Sequence, residues 1–115
     1  TRYEEIMCED ADYVIVAYGS SARISHKALQ LAREKGIKVG LLRPITLFPF
    51  PSEPIKQLAQ RVKGILTVEM SAGQMVEDVR LAVNGKRPVG FYGRQGGSVP
   101  SAEEALEALK SQIIK

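Results

Sequence analysis

Three short segments of this chain carry residue types that could bind or transform a ligand. The run Val68-Glu69-Met70-Ser71-Ala72-Gly73-Gln74-Met75 reads as an apolar strand ending on an acid, a tight loop and a helix start. At the carboxyl edge of a parallel sheet, such loops are where α/β proteins gather recognition groups. Glu69 is a candidate general base if buried, but no second titrating group in the sequence is tied to it. Glu77 and Asp78 follow in the first turn of the next helix, where they complement its dipole and repel anions. Met70 and Met75 read as fillers of a packed crevice. The segment is therefore expected to be a docking edge and not a reaction centre.

Gly19-Ser20-Ser21 also follows a strand and opens a helix, so its amides are placed to receive an anion. A tight turn with a serine cap explains the same residues. The full G-x-G-x-x-G and the Walker lysine are both missing. Gly93-Arg94-Gln95-Gly96-Gly97-Ser98 is glycine-rich with one cation, suited either to wrapping a phosphate-bearing ligand or to turning the chain. The weak cofactor-binding candidates are thus Gly19, Ser20, Ser21, Arg94, Gly96 and Gly97. A nucleophile elbow would need glycine where Arg23 stands. The one imidazole, His26, lies about a turn past Ser21 and reads as a surface or partly packed helix residue. No orienting acid or oxyanion hole is indicated, so no catalytic residue is expected. A single His and a single Cys make a zinc site unexpected, and no metal ligands are assigned.

The elements that must position these segments follow a regular order. Tyr13 to Tyr18 is a short β-forming run, and Ser25 to Lys35 has helical spacing closed by Gly36. Val39 to Leu42 reads as a second strand, and a helix is expected from about Pro54 to Lys63, stopped by Gly64. Ile65 to Val68 forms the third strand and Gln74 to Val83 the third helix, stopped by Asn84-Gly85. Pro88 to Tyr92 gives a fourth strand, and Ser101 with Glu104 reads as a capping box opening a last helix to about Ile114. Strand and helix alternate four times, and the strands are almost continuously apolar. This predicts an α/β fold of three αβα layers around a mainly parallel sheet in flavodoxin-like order 2-1-3-4. The loops at Gly19 and Glu69 would then face one crevice. Between the second strand and second helix, Leu47, Phe48 and Phe50 lie among Pro44, Pro49 and Pro51, which marks either an interface or a cover for the sheet edge.

With 115 residues, 44% apolar and 25% charged, the chain fits one domain with a real core. Its net charge of +3 is interleaved and not gathered into a basic stripe, so no nucleic-acid partner is expected. The lone Cys8 fits a reducing, cytoplasmic compartment. No run approaches the roughly 18 apolar residues of a membrane span, so no membrane partner is expected. The absence of an initiator Met suggests processing or a domain cut from a longer polypeptide.

Four motifs then occur in one order: Ala17-Tyr18-Gly19-Ser20, Leu42-Arg43-Pro44 through Pro51, Val68-Glu69-Met70-Ser71-Ala72-Gly73-Gln74-Met75, and Phe91-Tyr92-Gly93-Arg94-Gln95-Gly96-Gly97. Together they resemble the transketolase C-terminal-like domain in the alpha subunit of 2-oxoacid:ferredoxin oxidoreductases, over nearly the whole chain. Ser71 and Gln95 depart from the commonest pattern, where asparagine and proline are frequent. The resemblance implies part of a multisubunit enzyme that turns a 2-oxoacid and coenzyme A into acyl-CoA and carbon dioxide while reducing ferredoxin. Thiamine diphosphate, magnesium and iron-sulfur clusters are implied for the whole complex and none for this chain. The implied partners are the remaining alpha-subunit domain, the beta subunit and, through the complex, ferredoxin. Residues 1–115 would then be one domain excised from a longer alpha subunit. Its interface is expected at Phe48, Phe50, Glu69, Met70, Gly73 and Gln74. Rival readings are a free-standing flavodoxin-like nucleotide-binding module, or the C-terminal domain of a transketolase or 2-oxoacid dehydrogenase.

Overall fold

The computed structural model describes residues 2–19, 21–45, 50–69, 74–93 and 101–114. Strands and helices run in the order β1 (Tyr3–Ile6), β2 (Tyr13–Ala17), α1 (Ser21–Glu34), β3 (Val39–Pro44), α2 (Ser52–Ala59), β4 (Gly64–Val68), α3 (Gln74–Val83), β5 (Val89–Tyr92) and α4 (Ala102–Leu109). A π-helical segment, Lys110–Ile114, continues α4. The sheet order is β1-β3-β2-β4-β5, with β3, β2, β4 and β5 parallel and β1 antiparallel on the β3 edge. The four parallel strands thus follow the expected 2-1-3-4 order.

Both faces of the sheet are apolar, which is why its strands read as continuous runs. Ile15, Ala17, Leu41, Leu66 and Val68 face α1 and α4, packing on Ala28, Leu29, Ala105 and Leu109. Val14, Val16, Leu42 and Ile65 face the other way, onto Ile55, Leu58, Met75 and Val79 of α2 and α3. Ser101 caps α4 as expected, its hydroxyl accepting from the Glu104 N–H at 3.1 Å. The return half of that capping box is relayed. The Ser101 N–H donates to the Tyr92 hydroxyl, which donates to the Glu104 carboxylate at 2.7 Å.

Strand β1 is the main departure from expectation. Tyr-Glu-Glu-Ile has no apolar run to announce it, and Tyr3, Glu4 and Glu5 are all exposed. It is held by pairing with β3, a tertiary influence that local pattern does not carry. Charged side chains suit such an edge because they deter further pairing. The opposite edge is guarded differently. The Gln112 side-chain amide accepts from the Phe91 N–H at 2.8 Å and donates to the Phe91 carbonyl at 2.9 Å, imitating one step of a neighbouring strand.

Helix boundaries also shift. α1 starts at Ser21 and not Ser25, because the turn at Gly19 already launches it, with the Ala22 N–H bonding the Gly19 carbonyl at 3.1 Å. α2 covers Ser52–Ala59, keeping Pro54 in its first turn where no intrahelical N–H is needed. Gly64 is not a helix stop but the first residue of β4, paired with Tyr13. Gly36 and Gly85 do close their helices, at left-handed φ of 83° and 75°.

Candidate functional site

Ala17 and Val68 are paired in register, so the chain leaves β2 and β4 side by side at the carboxyl edge of the sheet. At the β4 tip, Glu69 is only 7% exposed. Its carboxylate accepts from the Met75 N–H at 2.9 and 3.2 Å and from the Val76 N–H at 3.2 Å. These are orphan amides of the first turn of α3, and an anion there also complements the helix dipole. The acid that looked like a candidate base thus closes the strand-loop-helix turn as a cap supplied from the preceding strand.

A cleft of about 580 Å³ opens on the other side of α1, toward β3 and β1. It is lined by Glu4 and Ile6 of β1, Gly19, Ala22, Arg23 and His26 around the start of α1, and Leu41 and Arg43 of β3. Arg43 donates to the Glu4 carboxylate at 2.9 Å across the β1–β3 pair. Gly19 has φ of 66°, in the left-handed region that favours glycine. α1 has no acid in its first turn, whereas α2, α3 and α4 carry Glu53, Glu77 and Glu103 with Glu104 there. The sequence pointed to Gly19 but not to this cleft, because its walls come from three separate segments and one of them is the unforeseen β1.

Other arginines serve the amino edge of the sheet. Arg33 donates to the Val39 and Met7 carbonyls at 3.0 and 2.9 Å and forks onto Asp10. That guanidinium holds the Asp10 carboxyl below its ordinary value, chiefly by hydrogen bonding. Arg61 reaches the Cys8 carbonyl at 2.8 Å and Arg87 the Val62 carbonyl at 2.6 Å. Three arginines, Arg33, Arg61 and Arg87, are therefore committed to backbone carbonyls at the amino edge.

Cys8 is buried at that edge, its thiol 3.4 Å from the Leu41 carbonyl. Burial, helped by the charge of Glu5, pushes the thiol from 9.0 up to about 11. A neutral thiol is a poor nucleophile and a poor metal ligand. Below about pH 8 both folded and unfolded thiols are protonated and stability is unaffected. Above that the unfolded state ionises first, so stability falls as pH rises toward the folded value. Wild type is therefore expected to lose roughly 1–2 kcal/mol relative to Cys8→Ala between about pH 8 and pH 10.5, read by urea unfolding.

One of the groups that the family resemblance implies for a whole enzyme can be tested on the donor set of this chain. An iron-sulfur cluster takes several Cys thiolates, and the chain has one Cys in all. Among the described residues no group of three or more His, Cys, Asp or Glu side chains is placed to hold a metal ion. No helix among them is long and apolar enough to cross a membrane.

The remaining expected site residues distribute as follows. Ser21 is buried at the start of α1, and Phe50 is half-buried against the α2–α3 core. Gln74 is the first residue of α3. Ser20, Phe48, Met70, Gly73, Arg94, Gly96 and Gly97 lie outside the described residues. His26, expected on the surface or partly packed, is half-buried on the cleft wall.

Comparison with known proteins completes the picture. The chain is 51% identical over 109 residues to the ketoisovalerate oxidoreductase subunit VorB of Methanothermobacter marburgensis, covering 95% of this chain but 31% of that protein. Its structure superposes on a 2-oxoglutarate:ferredoxin oxidoreductase from Magnetococcus marinus with a TM-score of 0.82, at 24% identity, over 97% of this chain and 20% of the other. It also superposes on a split-gene transketolase with a TM-score of 0.83, at 18% identity, over 98% of this chain and 41% of the other. At these identities the superpositions establish a shared fold, the transketolase C-terminal-like one. Residues 11–105 match the family model described as pyruvate:ferredoxin oxidoreductase core domain II. The chain belongs to that family.

Proposed function

We propose that this chain is the accessory, non-catalytic domain of the alpha subunit of a 2-oxoacid:ferredoxin oxidoreductase. In that reading the whole enzyme converts a 2-oxoacid and coenzyme A to acyl-CoA and carbon dioxide, and passes the electrons to ferredoxin. The observation that carries it is the 51% identity, sustained over 109 residues, to a ketoisovalerate oxidoreductase subunit that is about three times as long. Ketoisovalerate, named in that relative, is the 2-oxoacid we assign to the whole enzyme. The chemistry would reside on other domains, since the carboxyl edge described above spends its buried acid, Glu69, on capping α3.

The domain's work is then assembly. Phe50, the turn that Glu69 closes and Gln74 at the start of α3 form its contact surface toward the remaining alpha-subunit domain and the beta subunit. Phe48, Met70 and Gly73, outside the described residues, are assigned to the interface from the sequence alone. Thiamine diphosphate, magnesium and iron-sulfur clusters belong to those other parts of a cytoplasmic complex. The test is size-exclusion chromatography of this chain mixed with the remaining alpha-subunit domain and the beta subunit. Co-elution is expected, and Phe50→Asp should abolish it while the isolated chain keeps its fold. Separate elution of the wild-type mixture, or unaltered co-elution of the variant, would count against the proposal.

A further inference from the structure

We infer that the cleft between α1 and the β3–β1 edge is a binding site for a small organic anion, with a phosphate or carboxylate head on a short apolar body. This goes beyond the assembly role and does not depend on it. The cleft's volume of about 580 Å³ falls in the range of small-ligand sites, which are concave, mostly apolar and furnished with a few polar groups. Ile6, Ala22 and Leu41 supply the apolar lining. Arg23 and His26 are three residues apart on α1 and so share one helix face, while Arg43 belongs to β3. Two guanidiniums and an imidazole contributed by different elements suit an anionic head held between them, since charge-assisted bonds to guanidinium are the strong ones.

The arginines differ in how fully they are employed. Arg33, Arg61 and Arg87 are bound to backbone carbonyls at the amino edge. Arg23, by contrast, bonds nothing among the described residues. Arg43 uses one N–H on Glu4 Oε1, and a guanidinium carries five. Glu4 Oε2 has no partner among the described residues, so it is left to accept a hydroxyl or amide donor on the ligand's body. Gly19 completes the wall with bare backbone, and a Cβ there would meet nothing within 4 Å. The cleft thus asks for an anionic head, a nearby donor and a compact apolar body.

The test is a two-dimensional amide NMR titration of the 115-residue chain with two probes, inorganic pyrophosphate and ketoisovalerate. Saturable shifts confined to Ile6, Gly19, Ala22, Arg23 and Arg43 are expected with at least one probe. Whichever binds more tightly identifies the head group as phosphate or carboxylate. Arg23→Ala and Arg43→Ala should each raise the dissociation constant roughly tenfold, the loss expected for one charge-assisted contact. Arg23 is exposed and holds no other part of the fold, so its variant remains readable even if Arg43→Ala disturbs the β1–β3 pair. Three results would overturn the inference: no shifts with either probe, equal shifts at Lys56 and Lys63 of the α2 region, or wild-type affinity in Arg23→Ala.

Discussion

Glu69→Ala is expected to destabilise the chain by roughly 2–4 kcal/mol, the loss for unpairing buried charge-assisted hydrogen bonds. For a domain of this size that lowers the melting temperature by roughly 10 °C. The reason is local and specific. The carboxylate sits 7% exposed at the tip of β4 and takes the Met75 and Val76 N–H groups at 2.9 to 3.2 Å. Alanine leaves those two amides buried without their acceptor and removes the anion from the positive end of α3. Glu69→Gln keeps an acceptor oxygen but loses the charge, so about half the cost is expected. Thermal unfolding followed by circular dichroism reads both. An alanine variant within about 0.5 kcal/mol of wild type, the usual range for surface changes, would mean that the cap does not hold the turn.

Gly40→Val should cost about 3 kcal/mol or more, as overpacking against backbone does. A Cβ at Gly40 would stand 2.8 Å from both the Cys8 Cα and the Met7 carbonyl oxygen, and 3.0 Å from the Cys8 sulfur. Two of those three atoms belong to the backbone of the β1–β2 connection, so no side-chain rotation relieves the clash. The connection must lift away from β3, and β1 carries Glu4 and Ile6 of the cleft with it. Gly36→Ala is the useful contrast. Nothing lies within 4 Å of its added carbon, and only the left-handed φ of 83° opposes it, which costs about 1 kcal/mol. Urea unfolding of the two variants should rank them in that order. Equal midpoints would contradict the crossing of Met7 and Cys8 over Gly40.

Much of this architecture is legible in the sequence. α3 was expected over Gln74 to Val83 and occupies those residues, because an apolar stripe of Met75, Val76, Val79 and Val83 is bounded by a loop and by Asn84-Gly85. The parallel strands were legible for a related reason. Burial on both faces forces continuous apolar runs such as Val14-Ile15-Val16-Ala17. β1 escaped because two of its four residues are glutamates and pairing with β3 alone makes it a strand. Gly64 misleads for the opposite reason, since glycine before a strand looks like a helix stop and only its pairing with Tyr13 makes it part of β4.

The site divides along the same line. Gly19 announced its turn through residue type, and its φ of 66° matches that. The partners of Gly19 in the cleft, Glu4 and Arg43, are separated by 39 positions and meet only across the sheet edge. Glu69 was correctly placed at a strand tip, but its use was not visible. A side chain that caps a helix from six residues upstream follows no local capping pattern of the kind seen at Ser101 and Glu104.

The proposed role makes the chain a necessary but chemically inert domain of a ferredoxin-dependent 2-oxoacid oxidoreductase. It is tested by anaerobic ferredoxin reduction with ketoisovalerate, coenzyme A, thiamine diphosphate and magnesium, run three ways: this chain alone, the remaining alpha-subunit domain with the beta subunit, and all of them together. No reduction is expected with the chain alone, little or none with the other parts alone, and sustained turnover when they are combined. Turnover by the chain alone, or full turnover without it, would rule out an inert but necessary role for this domain.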